Sequence, residues 1–176
     1  MRETPAATTG LNSPLVRAIA WSGLIAGVLD LGYVVVLVLM RGGDPVRMLQ
    51  GIAAALVGPA ARNPQDWGYA VVGGAMHFAI AYTWAALFCV AASFRPYLIR
   101  QPGIAGPLYG VFVWLVMQLV VLPFTKSPPV SFPPPNWEPV FLAHLLCVGL
   151  PIAVIARRFL APTENEPAAT SGPAAE

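Results

Sequence analysis

Residues 18–40 read AIAWSGLIAGVLDLGYVVVLVLM, and this stretch decides the fold. Its 23 residues carry one charge, Asp30, near the middle. At about 1.5 Å per residue the stretch is roughly 34 Å long as a helix, enough to cross a hydrocarbon core of about 30 Å. A lone carboxylate at that depth costs roughly 2.5–3.5 kcal/mol on insertion scales, so Asp30 is expected to face protein or water rather than lipid. The rest of the chain reads as the other walls around that carboxylate.

Composition points the same way. Of the 176 residues, 57% are hydrophobic and 10% charged, against about 25% charged in soluble domains. A net charge of +2 gives no case for a nucleic-acid partner. Cys89 and Cys147 lie inside apolar runs with no CxxC spacing, and read as buried small hydrophobes. No HExxH, GxSxG, Walker or GxGxxG pattern is present and no catalytic carboxylates are paired, so an enzyme is not expected and no cofactor is implied.

Outward from the first span, residues 1–14 are polar and expected to be disordered, and the first apolar run is too long for a signal peptide and is expected to be retained. The first span is expected over Leu15–Met40, with Gly23 and Gly27 as a GxxxG pair that lets another helix approach. Pro45–Gly58 is too short to cross. Its Leu49, Ile52 and Leu56 recur at helical spacing while Arg47 and Gln50 share another side, so it reads as an amphipathic surface helix or a re-entrant piece. The second span is expected over Trp67–Ser93 with His77 inside, and the third over Gly103–Leu122, stopped by Pro123. The third carries Gly106 and Gly110 as a second small-residue pair, and Gln118. Thr125–Asn136 holds five prolines and reads as an extended connector or a rigid lid. The fourth span is expected over Trp137–Ala156, with His144 inside and Arg157-Arg158 closing it, before a disordered tail at 161–176.

The fold class is therefore an all-α membrane protein. It comprises a four-transmembrane-helix bundle over residues 15–160, with one short amphipathic helix between the first two spans. Four spans place both termini on one side. Six arginines fall on that side, Arg2, Arg17, Arg95, Arg100, Arg157 and Arg158, against Arg41, Arg47, Arg62 and Lys126 opposite. The positive-inside rule then predicts cytoplasmic termini. Ile25-Ala26-Gly27 recurs as Ile104-Ala105-Gly106 at the opening of the third span, and the second and fourth spans each carry one histidine. This pattern suggests two two-helix units in a parallel repeat.

Sorted by depth, Asp30, His77, Gln118 and His144 fall within one layer about 6–8 Å deep, one from each span. Three chemistries fit such a layer. Asp and His exchange protons near neutral pH, and intramembrane ionisable groups mark routes for protons, ions or small solutes. A hydrogen-bonded polar core that only fixes helix register is the plainer alternative. Two histidines from two helices suit a haem iron, and His77, His144 and Asp30 supply three ligands of a zinc site with one position open.

The pattern resembles the YagU-like family, small bacterial inner-membrane proteins whose molecular function is not established. The likeness runs from Gly23 to Arg158. It rests on Gly23-Leu24-Ile25-Ala26-Gly27, on His77 with Phe78 and Ile80, and on Phe94 and Pro96. It continues through Pro123, Pro128-Pro129, Trp137-Glu138, His144 and Arg157-Arg158. Two positions depart: that family looks to have a basic residue in the first span, where this chain has Asp30, and a histidine in place of Gln118. The resemblance implies a bacterial inner-membrane location and adds no reaction.

The leading expectation is a four-span inner-membrane protein whose polar layer handles protons, ions or a small solute, working as a homodimer in the lipid bilayer. The second is an accessory protein that packs against another membrane protein through Gly23/Gly27 or Gly106/Gly110. The third is a haem or metal carrier.

Overall fold

The computed structural model describes residues 13–129 and 131–161; the disorder expected for 1–12 and 162–176 falls outside them. Five helices follow in order: α1 (Pro14–Met40), α2 (Pro45–Val57), α3 (Gly68–Phe94), α4 (Pro102–Phe124) and α5 (Glu138–Leu160). All but α2 are long and apolar enough to cross a membrane, and no strand occurs among the described residues. The short helix between the first two spans is present where expected. The spanning helices are apolar on all sides, as helices are when one face meets lipid and another meets protein.

The ends follow from local chemistry. The Ser13 hydroxyl accepts a hydrogen bond from the Val16 N–H at 3.2 Å, and Pro14 occupies the first turn, where its missing N–H costs nothing. Asp44 and Pro45 repeat the device for α2, with the Asp44 carboxylate 2.8 Å from the Val46 N–H. Gly58, at φ +99°, terminates α2 in a conformation that side-chain-bearing residues avoid. Two helices outrun their expected ends. α4 passes Leu122 through a 3₁₀ turn that takes in Pro123, because proline is accommodated at the start of such a turn. α5 continues to Leu160, so Arg157 and Arg158 lie in its last turn, beside carbonyls that favour positive charge.

Without a hydrophobic drive between helices in lipid, association depends on close backbone approach. Glycines supply it. A Cβ on Gly23 would collide with the Tyr82 ring, and one on Gly27 would lie 2.8 Å from the Phe78 ring, so α1 and α3 cross there. Gly106 stands where a Cβ would reach the Leu150 Cα at 2.7 Å, and Gly110 faces the His144 carbonyl, so α4 and α5 cross likewise. Each expected two-span unit is thus a close glycine-mediated pair. The pairs dock through small buried side chains, among them Ala18, Ala85, Ala92, Ala153 and Ala156, with the bulkier Ile152 buried between them.

One end of the bundle gathers the start of α1, the turn between α3 and α4, and the end of α5. There Arg157 Nη1 donates to the Arg100 carbonyl at 2.8 Å, and the Arg17 guanidinium lies 5.0 Å from the centre of the Phe159 ring. The opposite end carries α2, which lies on α3 with the Leu49 carbonyl in the hollow left by Gly73. Here one expectation is corrected. Gln50 does not join Arg47 on a solvated side; it is fully buried, and its Nε2 donates to the carbonyls of Asn63 at 2.8 Å and Asp66 at 3.0 Å. The loop after α2 needs partners for its backbone, and a buried amide with two N–H donors supplies them.

Candidate functional site

Between α2 and the halves of the spanning helices nearest to it lies a cavity of about 700 Å³. Its wall is mostly apolar, formed by side chains such as Leu31, Val34, Ile52, Met76 and Met117. Asp30 from α1, His77 from α3 and His144 from α5 line it together, and the exposed Arg62 and Lys126 stand where it meets the surface. The proline-rich segment takes part: the Lys126 N–H donates to the Ala55 carbonyl at 2.8 Å, and Thr125, Lys126 and Ser127 line the cavity. The rest of the segment returns through an aromatic stack in which Trp114 meets Phe132, Trp137 and Phe141, with ring centroids 5.2–5.6 Å apart.

Each polar group is held by its helix. His77 sits one turn before Ala81 at the α1–α3 crossing, where Gly27 brings the two backbones together. Its Nε2–H donates to the Gly27 carbonyl at 3.0 Å, which leaves Nδ1 as an acceptor in the neutral ring. His144 opens a π-helical turn, His144–Gly149, in the middle of α5. Its Nδ1–H donates to the Val140 carbonyl at 2.8 Å, which leaves Nε2 as an acceptor. A matching π turn, Met117–Val121, lies in α4. Single π turns inside α-helices concentrate at functional sites.

Asp30 differs from both histidines. Its Oδ1 is enclosed and has no hydrogen-bond partner. Each ring spends its N–H on a backbone carbonyl, not on the carboxylate. Gln118 is placed apart from the other three members of the layer. It is half-buried in the π turn of α4 but forms no part of the cavity wall, where Met117 and Val121 stand. The three-ligand metal reading also fails on geometry. Among the described residues no three His, Cys, Asp or Glu side chains come together closely enough to hold one ion.

Chemically, the three inner groups bring one carboxyl and two imidazoles to the wall, and each imidazole keeps one ring nitrogen free of the backbone bond that the other makes. A guest matched to them carries a polar group on an otherwise apolar body. The glycine pairs Gly23/Gly27 and Gly106/Gly110 are covered by helices of the same chain.

Several contributors escaped the sequence reading. Gly73 and Gly149 make approaches as close as the four glycines singled out, and the adjacent Gly73-Gly74 was a visible signal. The methionines Met48, Met76 and Met117 shape the wall, and only the fold brings them together. No family model, no curated protein and no solved structure matches this chain.

Proposed function

We propose that this chain is a multi-pass membrane protein that binds a small amphiphilic amine in the cavity between its helices, with Asp30 as the anchor. Four long apolar helices suit an integral membrane protein. The observation that carries the binding reading is the Asp30 carboxyl in the wall of a largely apolar cavity, its Oδ1 packed away and without a hydrogen-bond partner. Leaving such an oxygen unmatched costs about 1–3 kcal/mol, a cost removed when the side chain turns to meet a ligand's donor. An ammonium group brings three donors and the compensating charge, and an apolar tail matches the wall. Kinship with the YagU-like family, residence in the bacterial inner membrane and cytoplasmic termini belong to the same proposal.

The test uses the full chain in lipid nanodiscs with three single-chain probes of equal length: decylamine, decanol and decanoate. Decylamine is expected to bind best and to lose binding in Asp30→Asn. Preferred binding of decanoate, drawn to Arg62 and Lys126, would overturn the reading, as would undiminished amine binding by Asp30→Asn. A second reading is supported by two imidazoles lining the same cavity as the carboxylate: proton transfer through the cavity. Proton flux in proteoliposomes without any amine, abolished by Asp30→Asn, would favour it instead.

A further inference from the structure

A second recess lies at the other end of the bundle, between α3 and α4. These helices are consecutive and joined by a short turn, yet they do not share a glycine crossing. Aromatic side chains hold them apart: Tyr109 stands 4.9 Å from Phe88 and 6.4 Å from Trp84, centroid to centroid, and its hydroxyl donates to the Trp84 carbonyl at 2.7 Å. The result is a groove of about 940 Å³, with Ala91 and Ala105 leaving room and Leu87, Ile104 and Leu108 forming open walls. Leu108 is 64% exposed and Ile104 59%.

The mouth of this groove is polar and positive. Tyr97, Arg100 and Gln101 line it, and just outside that lining the Arg157 guanidinium donates to the Arg100 backbone carbonyl, which puts a second positive charge next to the Arg100 main chain. Arg17, Arg95 and Arg158 belong to the same end. Among the described residues the acids lie elsewhere: Asp30 in mid-span, and Asp44, Asp66 and Glu138 at or beyond the far end. Basic recesses between spanning helices suit anionic headgroups, and apolar walls running from such a recess suit an acyl chain.

We infer that the α3–α4 groove is a binding site for an anionic phospholipid, with one acyl chain between Leu87 and Leu108 and the phosphate on Arg100 and Arg157. The inference rests on the membrane-spanning reading; Trp84 is the one residue that lines both this groove and the Asp30 cavity, and because Arg100 and Arg157 take no part in amine binding, the two proposals fail on different measurements.

The experiment is native mass spectrometry of the purified full chain with phosphatidylglycerol or phosphatidylcholine of identical acyl chains. The unaltered protein is expected to retain phosphatidylglycerol in preference. Arg100→Gln keeps the backbone carbonyl that Arg157 uses and is expected to lower that retention about fivefold, the share of one basic residue near a charged surface. Ala105→Phe fills the groove and is expected to release both lipids. If that variant does not fold, Leu108→Gln on the open wall tests the acyl-chain contact in its place. Equal retention of the two lipids, or a preference unchanged in Arg100→Gln, overturns the inference. So does a change of oligomeric mass in Ala105→Phe with lipid retention intact, which would assign the groove to a second copy of the chain.

Discussion

At Asp30 the chain accepts a cost that a purely structural span would avoid. The carboxylate oxygen is enclosed and unmatched, and apolar replacement of such a group removes the penalty rather than adding one. Asp30→Leu is therefore expected to raise the thermal stability of the ligand-free protein by about 1–3 kcal/mol while abolishing amine binding. Thermal unfolding in detergent, followed by circular dichroism, checks the sign. A destabilised Leu variant would mean that the carboxylate supports the fold. The sequence marked this residue plainly, since one charge among apolar neighbours stands out at any depth. It did not mark the partners of the histidines. Which carbonyl meets an imidazole N–H depends on where two helices cross, and the Gly27 carbonyl reaches His77 only because the α1–α3 crossing is so close.

Among the helices, the glycines rank by what stands opposite them. A Cβ at Gly27 meets the Phe78 ring, the end of a side chain that can turn aside. One at Gly110 meets the α5 backbone at His144 and Leu145, which cannot move without shifting the helix. At Gly32 nothing lies within 4 Å. Gly110→Ala is thus expected to cost more than Gly27→Ala, with about 1–3 kcal/mol for the overpacked sites. Gly32→Ala is expected to be neutral or stabilising by up to about 1 kcal/mol. Unfolding midpoints of the three variants in one detergent decide the order, and equal effects at Gly110 and Gly32 would contradict the crossing. Spacing alone revealed the Gly23/Gly27 and Gly106/Gly110 pairs, because residues four apart share a helix face. Spacing could not say that the opposing surfaces belong to the same chain. Nor could it expose the burial of Gln50, whose role depends on a loop that follows thirteen residues later.

For the molecule as a whole, the consequential feature is that α2 lies on α3 without crossing. Cysteines introduced at Arg47 and Arg62, in a background lacking Cys89 and Cys147, are expected to label from the same side of the membrane. A reporter fused after Glu176 is expected to be active only in its cytoplasmic form. Labelling of the two positions from opposite sides would add a fifth crossing and invert the charge argument. Four spans, their order and the pairing of neighbours were legible because length and apolar composition dictate them. The cavity was not legible. It exists because α2 and the proline-rich segment meet over the bundle, a long-range arrangement made by the bonds from Lys126 to Ala55 and Val57.

That meeting point also gives the molecule an optical signature. The indoles of Trp114 on α4 and Trp137 at the far end of the proline-rich segment lie 5.5 Å apart, tilted by 41°. Chromophores so close and so angled mix their excited states, which splits the near-ultraviolet dichroism of the pair into bands of opposite sign. The size of that splitting depends steeply on separation. The segment that borders the cavity therefore reports its own displacement by light alone, with no label attached.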